Sequence, residues 1–434
     1  MSRSSGFGRF LLLAAIAYLL VLLGLVTLTG RLVALALPLV AYLAMTLLQR
    51  APRIELSIRR TVSSETVVQN QPVEVTLQIV NEGQGLDEVL IEDTLPAAMT
   101  VIDGDRRVLT SLPEGATMEM HYTVRAPRGS YTLQDVRVSA NDHLGVLHAN
   151  STIPARARIV FIPEIIRLKK VAIRPQRTHG HFGPIPSRQA GSGVDFYGLR
   201  EYQAGDPRRW INWRASVRHD QQLFINQFEQ ERIADVGVIL DARQQSNIQL
   251  PTGESLFEYS VQAAGSLSEA LLNDGNRVGL LVYGFGVERV FPGYGKVQQE
   301  RIMNALGQAR TGHNFALESL GYLPTRFFPA GSQVVMVSPL MAEDLPAFQQ
   351  LRACGYEVLV VSPDPVDFEA RALELEDNLG RDLARVERAL TLRKLQRLGV
   401  RVLDWQVNRP FEPLVRASLS RVTPGRQQGV RGAL

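Results

Sequence analysis

The sequence has very little cysteine, and its histidines are scattered. A single cysteine, Cys354, stands in 434 residues, so no disulfide can form within the chain and no thiolate cluster can hold a metal ion. Of the seven histidines, only His179 and His181 are close together, and no further ligand follows them at the spacing of a zinc site. We interpret this pair as part of a loop, and we predict no metal and no other cofactor.

A strong charge of one sign and the motifs of nucleotide-binding enzymes are also missing. The formal net charge is +4, and no basic stripe with stacking aromatic residues follows a predicted face, so we predict no nucleic-acid partner. The segment Gly293–Lys296 lacks the upstream glycine of a phosphate-binding loop, because Val290 stands at that position. No serine occupies a nucleophile elbow. These absences predict that the chain is not an enzyme.

Long hydrophobic runs are present only at the N-terminus. Phe10–Thr29 carries no charge and has about the length that crosses a bilayer, and Leu32–Leu48 is a second uncharged run. A secretory signal peptide is the alternative for the first run, but its apolar part is too long and the second run follows at once. We therefore predict a two-helix membrane anchor, a transmembrane helical hairpin, over residues 1–53.

The positions of the arginines predict the orientation of this hairpin. Arginines flank both of its outer ends, whereas the connecting turn carries Arg31 alone. The positive-inside rule then places both termini in the cytoplasm. The predicted location is the cell membrane, with two helices crossing it and the soluble domains in the cytoplasm. A surface binding protein with its soluble part outside the cell is the weaker alternative.

Residues 54–163 show the period-2 alternation of short strands between turn signals. Val73, Val75, Leu77 and Ile79 share one face of the first clear strand, which stops at a segment rich in Asn and Gly. About seven such strands predict an immunoglobulin-like β-sandwich that acts as a spacer or a protein-binding module. Residues 164–234 begin with a basic linker, which either lies on anionic lipid or is solvated.

A dense group of aromatic, arginine and acidic residues follows at Phe196–Ser216. Two of the three tryptophans, Trp210 and Trp213, lie within it, three residues apart. Such a group can hold a loop in place by stacking and bidentate ion pairs. It can also form a docking surface, because aromatic residues and arginine are enriched in interface hot spots. The sequence leaves both interpretations open.

The spacing of this segment resembles a family signature. Gly-x-Gly-x-Asp-Phe and then Leu-Arg-x-Tyr-x-x-Gly-Asp-x-x-Arg-x-Ile-x-Trp are similar to the signature of the domain-of-unknown-function-58 (DUF58) family, although that family usually has Glu where Asp195 stands. The resemblance implies a membrane-anchored protein with a von Willebrand factor A-like domain, a MoxR-type AAA+ ATPase as partner, and no known reaction. The candidate signature or protein-binding residues are Asp195, Arg200, Tyr202, Gly205, Asp206, Arg209 and Trp213.

Residues 235–410 alternate between strands and helices. This order predicts a mainly parallel sheet covered on both faces, which fits the von Willebrand factor A-like (Rossmann-like) α/β domain that the resemblance implies. A long helix from Phe368 to Leu398 carries acidic residues and arginines that predict i,i+4 ion pairs on a solvated face. Residues 411–434 are predicted to be a flexible tail.

In open parallel sheets the ligand site lies beyond the carboxyl ends of the strands. Metal-binding A-like domains use Asp-x-Ser-x-Ser after the first strand, together with a Thr and an Asp from later loops. This chain keeps the first Asp, but an arginine beside it repels a cation and can pair with the carboxylate. We therefore predict a degenerate metal site. Its positions, in chain order, are Asp241, Arg243, Gln245, His313 and Pro339.

These predictions favour a membrane-anchored, non-enzymatic adaptor. By the family resemblance, its partner would be a MoxR-type AAA+ ATPase, and its role would be in a chaperone or assembly process. The alternative is a metal-dependent ligand receptor or an enzyme that uses the crevice at Asp241.

Overall fold

The computed structural model describes most of the chain as two compact units. The described residues are 5–48, 52–141, 148–169, 171, 179–218, 222–314, 317, 319–323, 327–372 and 379–420. The first unit is Met1–Phe161 and the second is Ile162–Leu434. Each unit is described by itself below.

The first unit contains two helices followed by two antiparallel sheets. The helices are α1 (Ser5–Val26) and α2 (Gly30–Leu48). The strands are β1 (Leu56–Val62), β2 (Thr66–Val68), β3 (Val73–Asn81), β4 (Leu86–Asp93), β5 (Thr100–Gly104), β6 (Arg107–Leu112), β7 (Thr117–Arg125), β8 (Gly129–Asn141) and β9 (His148–Ile162). One sheet has the order β1-β3-β7-β5 and the other has the order β2-β9-β8-β4-β6.

Alternation along the strands builds the core between these two sheets. In β3, Val73, Val75, Leu77 and Ile79 are fully buried, while the residues between them are exposed or half-buried. Successive side chains of a strand point to opposite faces, so a period-2 sequence buries one face only. The four residues predicted to share one face of this strand are therefore the ones that are buried.

The two N-terminal helices correct the predicted fold class. Among the described residues, no helix combines the length and the apolar character needed to cross a membrane. The predicted fold class, which began with a transmembrane helical hairpin, is therefore wrong. The cellular location stays a prediction.

The second unit is built on a six-stranded sheet with the order β14-β13-β12-β15-β16-β17. All neighbours in it are parallel except the edge strand β14, which runs antiparallel to β13. Its strands are β12 (Asp235–Ala242), β13 (Arg277–Gly284), β14 (Val287–Gly293), β15 (Gln333–Val337), β16 (Glu357–Pro363) and β17 (Arg401–Trp405). A separate antiparallel ribbon precedes this sheet and consists of β10 (His179–Glu201) and β11 (Phe224–Ile233).

Helices cover both faces of the six-stranded sheet. The helices of the second unit are α3 (Trp213–Ser216), which lies beside β11, and α4 (Leu256–Asn273), α5 (Gly295–Gln308), α6 (Leu345–Ala353), α7 (Pro365–Ala372), α8 (Leu379–Arg397) and α9 (Phe411–Ser420). Val238 packs in one apolar cluster with residues of α4, α5 and α9, whereas its neighbour Ile239 packs in a second cluster with residues of α6 and α8. Because both faces of β12 are covered, every residue of that strand is buried.

Several segments differ from their predicted form. Part of the predicted linker, including His179, lies in strand β10 and not in a loop. The long helix predicted from Phe368 to Leu398 is described as α7 and α8, and residues 373–378 between them lie outside the described residues. The predicted tail begins with helix α9, whose Phe411 and Val415 are buried in the core. Residues 421–434 lie outside the described part of the chain.

Candidate functional site

The strand-end site begins at Asp241, near the carboxyl end of the central strand β12. This strand lies between β13 and β15, so the loops that follow all three strands converge at the same edge of the sheet. The Asp241 side chain is completely buried. A buried carboxylate needs a cation or several hydrogen-bond donors nearby. Here it has both.

Arg243 supplies the cation. Its Nε donates to Asp241 Oδ1 at 2.9 Å and its NH2 donates to Oδ2 at 2.8 Å, a bidentate arrangement. The backbone N–H of Arg243 also donates to Oδ1, at 3.1 Å. Because only two positions separate Asp241 from Arg243, one short turn allows both the side chain and the backbone of Arg243 to bind the Asp241 carboxylate.

A second carboxylate, which sequence reasoning missed, holds the other side of the guanidinium. Arg243 NH1 and NH2 donate to Asp344 Oδ1 and Oδ2, each at 2.9 Å. Asp344 ends a short 3₁₀ turn before α6 and also accepts from the backbone N–H of Met341 at 2.9 Å. Because 101 positions separate Asp344 from Arg243, no local spacing could have revealed this contact. The one sequence signal available for Asp344 is its position, as an acidic residue at the start of a helix that follows a buried strand.

Two hydroxyl groups complete the surroundings of Asp241. Ser246 Oγ and Ser338 Oγ each donate to Asp241 Oδ2 at 2.7 Å. Ser246 lies one residue beyond the second serine position of the metal-binding motif. Pro339, predicted to stand in the place of a later ligand, instead uses its carbonyl to accept from Arg388 NH1 at 3.0 Å. Ser338, its neighbour, is the residue that reaches the site.

Charge and burial work against each other in this group. Burial alone would lower the pKa of Arg243, but the hydrogen bonds to Asp241 and then to Asp344 outweigh it, so the pKa is raised above its usual value. Burial also raises the pKa of Asp344, and the hydrogen bonds from Arg243 offset only part of that effect. With both carboxylates ionised, the group holds two negative charges against one positive charge. The guanidinium occupies the space between them.

The other predicted positions lie at the rim of the group. Gln245 is exposed, and its Nε2 donates to Glu343 Oε1 at 3.4 Å. The loop that carries His313 approaches Arg243 through a bridge between Arg243 and Gly312. His313 is exposed and lines a cavity of about 20 Å³ beside Arg243, which is room for about one water molecule. In the described part of the chain, no three histidine, cysteine or acidic residues form a group that could hold a metal.

The signature segment forms a second ordered group, at the turn after β10. Arg200 NH1 and NH2 donate to Asp206 Oδ2 and Oδ1 at 2.8 and 2.5 Å, and the backbone N–H of Gln203 donates to the same carboxylate at 2.8 Å. These bonds hold the pKa of Asp206 below its usual value, with the Arg200 bond as the larger cause. Gly205 inside the turn has φ of +107°, a conformation that favours glycine.

Contacts to strand β11 hold the rest of this segment in place. The Tyr202 N–H donates to the Leu223 carbonyl at 2.7 Å. Asn212 caps α3 by accepting from the Ala215 N–H at 2.9 Å, and its Nδ2 donates to Asn226 Oδ1 at 2.8 Å. Sequence reasoning did not select either asparagine, although an Asn at a helix start is a known capping signal.

The same segment presents apolar and basic side chains to solvent. Trp213 is 64% exposed, and Val217, one turn further on, is exposed as well. Arg209 is exposed and lies over the ring of Trp210, 5.9 Å from its centroid. The side chain of Asp195, which belongs to β10, lies outside the described part. We use the name signature surface for the exposed residues Arg208, Arg209, Trp213, Arg214, Val217 and Arg218.

Fold and site together define a class of protein: a β-sandwich unit and an α/β unit whose strand-end site is closed by an internal guanidinium. The model of a family described as "Protein of unknown function DUF58" matches residues 198–394, which include the signature segment from Leu199 to Trp213 and most of the α/β sheet. This match supports the place of the chain in the DUF58 family. The search of curated proteins gave no match.

Solved structures show only partial likeness to this chain. The cupredoxin domain of amoB from Nitrosocaldus yellowstonii is 14% identical, with 26% of this chain and 90% of that chain covered and a TM-score of 0.19. The ASH / PapD-like domain of human CEP192 is 15% identical, with 27% and 91% covered and a TM-score of 0.18. TM-scores this low support no inference about fold or function.

Proposed function

We propose that this chain is a non-enzymatic interaction protein that binds a protein partner through its signature surface. The partner that the DUF58 resemblance favours is a MoxR-type AAA+ ATPase, in a chaperone or assembly role. The family match over residues 198–394, which include the signature surface, supports the resemblance from which this proposal is drawn.

The proposal rests on the hydrogen bonds of Asp241, which occupy the whole carboxylate. A carboxylate offers about four lone-pair sites. Asp241 already accepts five hydrogen bonds of 2.7 to 3.1 Å, three from Arg243 and one each from Ser246 and Ser338. No lone pair is left to bind a divalent cation or to take a proton from a substrate. The strand-end site is therefore a structural element, and the function lies elsewhere on the surface.

The signature surface has the composition of a docking site. Tryptophan and arginine are the side chains most enriched in interface hot spots. Here they are exposed on a segment that the Arg200–Asp206 pair and the Asn212–Asn226 contact hold rigid. A rigid scaffold lowers the entropic cost of binding, because little has to be ordered when the partner arrives.

Affinity capture of the full chain, scored for an AAA+ ATPase, tests this proposal. The wild type is expected to retain the ATPase, and Trp213→Ala is expected to lose most of it, because truncation of a hot-spot aromatic residue costs about 2 kcal/mol or more. Tyr294→Ala is the matched control, since Tyr294 is an equally exposed aromatic residue outside the signature surface. Equal capture by all three proteins, or no ATPase with the wild type, would contradict the proposal.

Calorimetry separates this function from a metal-dependent receptor. Titration of the wild type with Mg²⁺ or Mn²⁺ is expected to give no heat that depends on Asp241. Binding that disappears in Asp241→Ala would favour the receptor and count against the closed site.

A further inference from the structure

Helix α8 carries an apolar stripe that faces solvent. Leu379, Leu383, Val386 and Leu390 are 86%, 59%, 56% and 49% exposed. Their spacing of four, three and four residues places them on one side of the helix, as in the seam of a coiled coil. A soluble helix usually buries such a stripe.

The opposite side of α8 already packs on its own domain. Leu392 and Leu395 are buried, and Leu395 belongs to the apolar cluster that contains residues of α6. The outward stripe is therefore not the face by which α8 holds to the sheet.

Ion pairs also hold α8 against its own domain. Arg381 and Arg385 both pair with Asp367 Oδ1, at 3.3 and 2.9 Å. Arg388 NH2 pairs with Asp404 Oδ1 at 2.5 Å. These arginines bind acidic residues outside α8. Three acidic residues of the predicted i,i+4 pairs, Glu374, Glu376 and Asp377, lie outside the described residues, so that prediction stays a prediction. Burial alone would raise the pKa of Asp367. The hydrogen bonds from Arg385 and Arg381 outweigh burial, so the pKa of Asp367 is lowered below its usual value.

The exposed charges beside the stripe are segregated by sign. The N-terminal half of the outer side carries Asp382 and Glu387, and the C-terminal half carries Arg393, Lys394 and Arg397. None of these five makes an ion pair with another residue that the structure describes.

We propose that α8 pairs with α8 of a second copy of this chain, in antiparallel orientation, through the stripe Leu379, Leu383, Val386 and Leu390. At 100° per residue, Asp382 and Arg393 flank the same edge of the stripe, and Glu387 and Lys394 flank the other. In an antiparallel pair, Val386 then lies against Leu390 of the other copy, and Asp382 lies beside the other Arg393.

A parallel pair is disfavoured by the same charges. In parallel register, Asp382 of one copy faces Glu387 of the other, because positions that flank the seam five residues apart approach each other across it. Like charges would then meet on both sides of the seam. Charge complementarity therefore selects the second copy in the antiparallel orientation.

The contact is small, so we expect reversible association. Four side chains offer less apolar area than the ~800 Å² per partner of a standard interface. The dimer fraction of the full chain is therefore expected to rise with concentration, as measured by sedimentation equilibrium. A non-ionic detergent in every sample limits contact through the exposed apolar residues of α1 and α2.

Charge exchange between Asp382 and Arg393 tests the pairing. Asp382→Lys alone and Arg393→Asp alone are each expected to raise the dimer Kd about tenfold, since attraction becomes repulsion at two symmetric places. The double variant is expected to restore the wild-type Kd, which a local effect on α8 would not do. Glu300→Lys, an exposed reversal on α5, is the control and is expected to leave the Kd unchanged.

Leu383→Lys is expected to raise the dimer Kd about a hundredfold or more, because it places a charge in the seam of both copies. Its circular dichroism should match that of the wild type, since Leu383 is exposed. A wild type that stays monomeric over the accessible concentrations, or a double variant as weak as the single ones, would overturn the proposal.

Cysteine cross-linking tests the orientation in a Cys354→Ser background. A mixture of the Val386→Cys and Leu390→Cys chains is expected to form a disulfide-linked pair. Leu379→Cys by itself is expected to form none, because the two copies of this position lie far apart in an antiparallel pair. Efficient self-linking of Leu379→Cys would show a parallel pair and contradict the orientation.

Discussion

The two units of this protein each bury an arginine, and they do so in opposite ways. In the sandwich, Arg60 on β1 binds Asp93 on β4, with Nε donating to Oδ2 at 3.1 Å. Tyr122 on β7 donates to the same oxygen at 2.5 Å, and Arg60 NH1 donates to the Ala155 carbonyl on β9. One cation meets one anion there, and the group ties the two sheets together.

The group around Arg243 has an additional carboxylate and two hydroxyls. It joins loops at the ends of parallel strands, where related folds place ligands, and it carries an excess of negative charge. The difference teaches that burial of an arginine alone does not define a site. The number of oxygens around the guanidinium distinguishes a neutral ion pair from a group of oxygens that could bind a metal ion once the arginine is removed.

Loss of the arginine should produce the largest effect and should separate the two groups. Arg243→Ser and Arg60→Ser are each expected to lower the free energy of unfolding by about 3–5 kcal/mol, because each leaves buried carboxylate unpaired. Only Arg243→Ser leaves two carboxylates and nearby hydroxyls, so only this variant is expected to regain stability with Mg²⁺. At 100 times its Kd the ion would return about 2.7 kcal/mol.

Denaturant unfolding with and without Mg²⁺ measures this effect. All three tryptophans, Trp210, Trp213 and Trp405, lie in the second unit, so their fluorescence reports on that unit. Far-ultraviolet circular dichroism reports on Arg60→Ser. The same Mg²⁺ response in both variants would show that the additional carboxylate does not distinguish the groups.

Loss of a single hydroxyl should give an intermediate effect. Ser338→Ala and Tyr122→Phe each remove one hydrogen bond to a buried carboxylate and are expected to cost about 1–3 kcal/mol. Tyr122 is expected to cost more. Its carboxylate, Asp93, accepts fewer bonds than Asp241 does, and burial and then the Asp93 charge raise the pKa of Tyr122, so it stays a donor.

Urea midpoints of the two variants measure this difference. Thr110→Val, at a half-buried strand position in the sandwich, serves as the control for loss of a hydroxyl outside either group. Equal losses for Ser338→Ala and Tyr122→Phe would mean that the number of donors around a carboxylate does not set the cost.

The smallest effect is expected from acid at the half-buried Arg200–Asp206 pair. The pKa of Asp206 is lowered in the folded chain, so its contribution to stability is present above the usual aspartate pKa of about 3.9 and is lost as the pH falls through the folded value. Acidification should therefore loosen the signature segment as the pH falls below about 3.9 toward the folded pKa of Asp206.

Hydrogen exchange of the Gln203 amide between pH 6 and pH 3 measures this loosening, with rates corrected for their intrinsic pH dependence. Asp206→Asn is expected to exchange faster at every pH and to lose the acid transition. A transition that survives in Asp206→Asn would have to come from another group.

Much of the fold follows from the sequence because its information is local. The buried face of β3 was predicted correctly, since Val73, Val75, Leu77 and Ile79 alternate with polar residues along the strand. The two-residue spacing of Asp241 and Arg243 likewise indicated that a guanidinium could reach the carboxylate. The N-terminal apolar runs were less informative, because composition predicted membrane-spanning helices where the structure describes none.

Only the tertiary structure decided which distant residues meet. Asp344 lies beside Arg243, and Ser338 beside Asp241, because the parallel order of the sheet brings the ends of β12 and β15 together. The pairing of Arg385 on α8 with Asp367 on α7 was equally hidden. Periodicity is set by neighbouring residues, whereas long-range pairing depends on strand order, and no single stretch of sequence records that order.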